Sequence, residues 1–248
     1  MPAPHRILDP SNPGREWDNL CALAVMTKAP RAGQVKTRLV PPLTNQEAAN
    51  LNACFLRDTA TAILAACRGN AIGVGVYTPV DSEPEYVGIL PMEFQLIPQR
   101  GDGFGERLGF AVEDLFRCGF SSVCLIDSDS PTVSSAAYEQ AVSLLCQTGD
   151  RVVLGPSDDG GYYLIGLKQN HRAIFEEIDW STQHVFDQTR KRAEDLNLEV
   201  AVLPASYDID DATTLRRLCE ELLSDNADER VAPDTRKYLA ELTATRRF

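Results

Sequence analysis

The chain has 248 residues, of which 44% are hydrophobic and 24% charged. That is ordinary globular composition, with enough apolar material for a sizeable core, and it excludes a disordered chain. The formal net charge of −12 excludes the basic footprint that duplex nucleic acid and anionic membranes require, and it repels anionic metabolites unless a local cluster of cations overrides the field.

Residues 1–19 carry Pro2, Pro4, Pro10 and Pro13 and no apolar stretch of the kind a secretion signal needs. They read as a flexible tail ahead of a single domain over 20–248. No run approaches the length of a membrane span. The 7 cysteines (Cys21, Cys54, Cys67, Cys118, Cys124, Cys146 and Cys219) form no C-x-x-C pair and sit in apolar runs. This is the usage of a cytoplasmic protein with reduced, buried thiols, and the three histidines have no zinc-ligand spacing to them.

Leu20–Met26 is a continuous apolar run of strand length, the pattern of a strand buried on both faces. The segment after it, Thr27–Leu39, holds Lys28, Arg31, Lys36 and Arg38 on an acidic chain. Gly33 permits close backbone approach, and cations beside free backbone N–H groups suit a polyphosphate. A solvated basic loop is the plain alternative, and the segment is not a Walker A loop. Thr44 and Glu47 form a capping box for a helix whose apolar face, Leu51, Phe55, Ala62 and Ala66, runs to about Cys67. Ile72–Thr78 is a strand, and Phe94–Ile97 a short one.

Gln99–Arg107 contains Gly101, Gly103 and Gly105. It is either a loop that contacts base or ribose or a glycine-rich entry to the helix over 105–118, whose inward positions are Phe104, Leu108, Ala111, Val112 and Leu115. Ser122–Ile126 is a strand, and Asp127 and Asp129 leave its carboxyl end before Pro131. Carboxylates two apart on extended backbone point to opposite sides unless the chain turns. One is therefore expected to bind a metal directly while the other works through water or ribose; a turn cap before the helix Ser134–Cys146 is the alternative. Arg151–Gly155 and Tyr162–Leu167 are strands around Asp158, Asp159, Gly160 and Gly161, which form a hairpin turn or a wall for a ligand. Trp180, in D-W-S-T, is either a core residue or an exposed platform for an acceptor.

His184–Leu196 reads as a helix, Glu199–Leu203 as a strand, Asp211–Leu223 as a helix and 233–247 as a last one. Asp211 fits the N-cap, which leaves Asp208 and Asp210 unexplained. A carboxylate from there would complete a metal site begun by Asp129. Strands alternating with helices imply an α/β fold, a largely parallel sheet covered on both faces, with ligands beyond the carboxyl ends of the strands. The chemistry is expected just after Met26, Ile126, Gly155 and Leu203.

Taken in order, K-A-P-x-x-G-x-V-K-T-R-L, G-x-x-G-E-R, S-D-x-P, G-P-x-x-D-G-G-Y-Y-L-I-G, W-S-T and D-x-D before a last helix resemble a bacterial glycosyltransferase-A-like family. That family lies in the nucleotide-diphospho-sugar transferase superfamily and is more distantly similar to 2-phospholactate and molybdenum-cofactor guanylyltransferases. The resemblance runs from about Leu20 to about Leu218. It implies a three-layer fold with a mixed, mostly parallel sheet and a nucleotide site over its carboxyl edge. It implies nucleotide binding by Lys28, Gly33, Lys36, Thr37, Arg38, Gly103, Gly105, Arg107 and Asp127, and catalytic roles for Lys36, Arg38 and Asp129. Asp159, Gly160, Gly161 and Trp180 fall on the acceptor side. Asp129 and Asp210, with Asp127 as a third candidate, would hold Mg2+ or Mn2+. The relatives usually carry glycine where this chain has Asp127.

The expected activity is nucleotidyl transfer from a nucleoside triphosphate to a phosphorylated small molecule, which the dense cation loop favours. Glycosyl transfer from a nucleotide-diphosphate sugar, with Asp158 or Asp159 as base, is the rival, and a non-catalytic nucleotide-binding module is a third class. The partners expected are a nucleotide donor and a small-molecule acceptor, with no nucleic acid or membrane; a homo-oligomer is compatible with the composition.

Overall fold

The computed structural model describes residues 5–245. The apolar run after residue 20 forms β1 (Cys21–Lys28), with every residue from Cys21 to Val25 buried. It is followed by α1 (Asn45–Ala66), β2 (Ala71–Thr78), β3 (Gln95–Pro98), α2 (Phe104–Cys118), β4 (Ser122–Ile126) and α3 (Ser135–Cys146). Then come β5 (Arg151–Pro156), β6 (Tyr162–Leu167), α4 (Val185–Asp195), β7 (Glu199–Val202), α5 (Ala212–Leu223) and α6 (Pro233–Thr245).

The seven strands form one sheet in the order β3-β2-β1-β4-β6-β5-β7. All neighbours are parallel except the two pairs that involve β6. A strand shared between two antiparallel neighbours explains the mixed sheet. It also matters for the site, because the start of β6 lies at the edge where the parallel strands end.

Alternation along β1 sorts its side chains to the two faces. Cys21, Leu23 and Val25 pack with α1 and α3, whereas Ala22, Ala24 and Met26 face α2 and α4. A third cluster joins α1 to α5 and α6 through Leu51, Phe55, Ile209, Leu218 and Leu239. No helix among the described residues is long and apolar enough to cross a membrane.

The segment expected to be a flexible tail is tied to the domain at several points, although most of its side chains are exposed. Ile7 forms a parallel bridge with Leu96, Leu8 N–H donates to Leu96 C=O at 2.7 Å, and Leu96 N–H donates to Arg6 C=O at 2.9 Å. Trp17 is buried and stacks on Phe120 at 5.5 Å between centroids. The prolines hid an edge cover: one residue pairing with β3 blunts an otherwise open strand. Residues 1–4 lie outside the described residues, as do 246 and 247 of the last expected helix.

Candidate active site

The carboxyl ends of β1, β4 and β5 and the start of β6 enclose a cavity of about 620 Å3. Its wall includes Lys28, Lys36, Thr37, Arg38, Asp127, Asp129, Asp159, Gly161, Trp180 and Asp210. These come from five separate stretches of chain, each brought to one edge by the parallel topology.

The loop after β1 is anchored by two apolar side chains. Val35 and Leu39 are buried, Leu39 in the cluster with Leu51, Phe55 and Ile209. Lys36 and Thr37–Leu39 form a tight turn in which Lys36 adopts a left-handed φ of 48°. The Lys36 side chain, only 5% exposed, therefore runs inward. Its ammonium lies 2.8 Å from Asp129 Oδ2, and it donates to Asp210 Oδ1 at 3.1 Å and to Ile209 C=O at 2.7 Å. The three donors of a lysine are thereby matched by three acceptors. Burial alone would depress its pKa, but the Asp129 and Asp210 carboxylates outweigh that and hold it above the ordinary lysine value. Arg38, which is exposed, donates to the other oxygen of Asp210 at 3.3 Å.

Asp127 sits at the cavity floor. Removal from water, and then the adjacent Asp129 charge, push its carboxyl well above the usual range, against a 2.7 Å hydrogen bond from the Ser130 hydroxyl. The chain turns after Asp127, whose N–H donates to Tyr163 C=O, and Ile209 N–H donates to Asp129 C=O at 3.0 Å. That backbone bond brings the segment before α5 against the end of β4. Asp208 accepts from the Ser157 hydroxyl at 3.1 Å, and burial followed by the Asp159 and Asp210 charges raises its pKa.

Several residues assigned from the motifs do other work. Gly33 has φ +75° and shapes the loop, but it does not line the cavity. Gly103 is the N-cap of α2, where the Glu106 carboxylate accepts from the Asp102 and Gly103 N–H groups. Arg107 donates to the Gly101 and Asp102 carbonyls, which closes that turn from outside the cavity. Gly105 makes room for Trp180: a Cβ there would lie 2.5 Å from the indole Nε1. Gly160 has φ +90°, and its Cα faces the Gln183 backbone, where a Cβ would come within 2.2 Å of the carbonyl oxygen. These are the contacts of a glycine-rich helix entry and of a hairpin turn. Arg31 leaves the site and donates to Glu85 at 3.0 Å, and Asp158 pairs with Arg217 at 2.7 Å. Asp211 caps α5 through the Thr213 and Thr214 N–H groups.

Asn52 and Ser157 line the cavity without having been picked as site residues, and so does Asp208, which was singled out only together with Asp210. For Asn52 a signal exists in retrospect. It is a polar residue beside Leu51 on the inward stripe of α1, it is buried, and its Oδ1 has no hydrogen-bond partner.

Among the described residues no ready-made cluster of three or more His, Cys, Asp or Glu ligands is present. The donor set nevertheless fits a hard divalent cation of the Mg2+ type. Such ions are held by one or two carboxylates together with substrate phosphates rather than by an all-protein cage, and Asp129 and Asp210 already converge on one positive charge.

Comparison with known proteins places this geometry. A family described as uncharacterized proteins conserved in bacteria, DUF2064, matches residues 74–182. A solved structure from Desulfovibrio desulfuricans G20, provisionally assigned as a nucleotide-diphospho-sugar transferase, is 29% identical with a TM-score of 0.79, covering 92% of this chain and 96% of its own. A 4-diphosphocytidyl-2C-methyl-D-erythritol synthase from Anaerococcus prevotii shares the fold at 11% identity and a TM-score of 0.53, with 85% and 100% coverage. A CMP:2-keto-3-deoxy-manno-octonic acid synthetase complexed with CTP does so at 9% identity and 0.51, with 80% and 96% coverage. No curated protein matches the chain.

Proposed function

We propose, from the premise that this chain is an enzyme of the nucleotide-diphospho-sugar transferase superfamily, that it transfers a nucleotidyl group from a nucleoside triphosphate to a phosphorylated small molecule. The observation that carries the reading is the meeting of the basic loop with the acids from β4 and from the segment before α5 in one cavity. Phosphoryl-type transfer asks a protein mainly for positioning and charge neutralisation, and this site is made of little else.

In the reaction an oxygen of the acceptor phosphate forms a bond to the α-phosphorus. The bond from that phosphorus to the α–β bridging oxygen breaks, and its electron pair leaves with pyrophosphate. Arg38 faces the cavity and would share the charge of the donor phosphates, while Lys28, also in the wall, would meet the phosphate of the acceptor. Lys36 holds Asp129 and Asp210 in register before substrate arrives, so its contribution begins as positioning. Asp129 and Asp210 would hold Mg2+ or Mn2+, which supplies charge neutralisation at the phosphates when bound.

Glycosyl transfer from a nucleotide-diphosphate sugar is the second reading. It is favoured by Asp159, a carboxylate in the cavity wall fixed by the Gly161 N–H at 2.8 Å and able to act as a base. Product analysis separates the two. Pyrophosphate formed in step with product is the expected result, whereas release of a free nucleoside diphosphate would establish the glycosyl reaction instead.

A further inference from the structure

The cavity has two unlike sides. Toward α1 it is charged, with Lys36, Arg38, Asp129 and Asp210. Toward α2 and α4 its wall is apolar, because alternation along β1 and β4 sends Met26 and Leu125 there, where they meet Leu108, Ile165 and Val185. At the lip, Phe104 is 56% exposed and meets the Trp180 ring edge-on, with centroids 5.1 Å apart and planes at 66°. The indole reaches this place only because residue 105 has no side chain. The bare position and the aromatic pair together add an aromatic corner to this apolar side of the cavity.

We propose that this compartment is the acceptor subsite and that the acceptor is an anionic monoester with an apolar, ring-sized body. The body lies against Phe104, Trp180 and Met26, and the anion pairs with Lys28. Lys28 follows Met26 by two residues on β1 and so projects to the same face. It lines the cavity, is exposed, and makes no ion pair among the described residues. A nucleobase suits the compartment less well. Reading a base edge takes several free donors and acceptors; here the Thr182 hydroxyl is spent on Asp179 C=O at 2.7 Å and on the His184 N–H at 3.3 Å, which leaves the Tyr162 hydroxyl and the Ser181 and Gln183 side chains beside a mainly apolar surface. The inference rests on the transfer reading above only in assigning the donor phosphates to the α1 side.

Isothermal titration of the whole chain with glycerol phosphate and phenyl phosphate tests it. Phenyl phosphate should bind roughly ten- to a hundredfold more tightly, as expected for removing one ring from water. Phe104→Ala should abolish most of that ratio and leave glycerol phosphate unchanged; because the side chain is more than half exposed, the variant should fold normally. Lys28→Met should weaken both esters alike, by about tenfold. Equal binding of the two esters, or a ratio that survives Phe104→Ala, would overturn the subsite. So would a Phe104→Ala variant that loses affinity for nucleoside triphosphates instead, since the wall would then hold the base. Titration of the wild type with nucleoside triphosphates and nucleotide sugars keeps the two readings apart. If neither donor binds while the ester ratio is as stated, the transfer reading fails and the subsite stands; donor binding without the ratio has the opposite meaning.

Discussion

The loop after β1 and the turn between β5 and β6 deliver polar side chains to the same cavity, and they are held in opposite ways. The turn largely holds itself: Ser157 N–H donates to Gly161 C=O, Gly160 N–H to Ser157 C=O, and Gly161 N–H to the Asp159 carboxylate. The loop is held by side chains far away in sequence. Lys36 and Arg38 reach Asp210, more than 170 residues on, and Arg31 reaches Glu85. The turn adds local closures to its distant ties, Asp158 to Arg217 and the Phe186 N–H to Gly160 C=O, whereas the cationic side chains of the loop are placed only once β4 and the segment before α5 have arrived. The positive charge of the site is therefore also one of the ties that close the domain.

Lys36→Met should break this contrast most forcefully. It leaves Asp129 and Asp210 facing each other without their shared cation. Breaking a fully buried pair costs about 3–5 kcal/mol. Here the two carboxylates keep 32% and 46% of their exposure, so water screens them, and a loss of about 2–3 kcal/mol is expected in urea unfolding of the ligand-free chain. The nucleotide-induced rise in melting temperature should fall as well. An unchanged unfolding midpoint would show that the ammonium is not a tie, and the loop would then be as self-contained as the turn.

On the turn side, Gly160→Ala should cost about 2 kcal/mol, because the left-handed backbone and the clash with the Gln183 carbonyl both oppose a methyl group. Gly161→Ala has ordinary backbone geometry and meets only the Asp159 carboxylate, at 3.1 Å, so it should cost less than about 1 kcal/mol. Paired melting curves decide this. Equal losses would mean that the turn does not lean on residue 183 and that the two glycines do the same work.

The same distinction governs what could be read in the sequence. The strands, the capping box at Thr44 and Glu47, the Asp211 cap and the sheet edge where the acids gather were all legible, since each depends on short-range spacing. The mixed character of the sheet came from the motif resemblance, not from periodicity, which cannot report the direction of β6. What the sequence could not show was of two kinds. Whether Gly33, Gly103, Gly105 and Gly160 shape backbone or leave room for a neighbour stays open in the sequence; in the structure the first two shape backbone and the other two leave room for Trp180 and Gln183. The ion pairs of Lys36 and Arg31 were not legible, because their acidic partners lie 54 to 174 residues away, beyond the reach of any local pattern.

Two helix caps carry the comparison to its smallest expected effect. Asp211 caps α5 from the adjoining position, while Asp58 on α1 caps α6 from afar, accepting from the Asp234 and Thr235 N–H groups at 3.0 and 2.8 Å. Backbone hydrogen bonds, chiefly from Thr214, lower the pKa of exposed Asp211. For Asp58, burial outweighs the same kind of bonds and raises it. The signs of the linkage are opposite. A depressed carboxyl stabilises the fold above its unfolded value, near 3.9, and that contribution is lost as pH falls through the folded value. A raised carboxyl binds its proton more tightly in the native state, so its favourable contribution is present below about 3.9 and disappears as pH rises through the folded value. Asparagine cannot titrate, and each Asp→Asn variant subtracts one of these curves from the wild type. Relative to wild type, Asp211→Asn should therefore lose ground as pH rises toward about 4. Asp58→Asn should gain ground from about pH 4 upward, on top of a constant cost for the weaker second acceptor. Melting temperatures taken across that range measure both. Parallel curves would mean that the distant cap is no more desolvated than the local one.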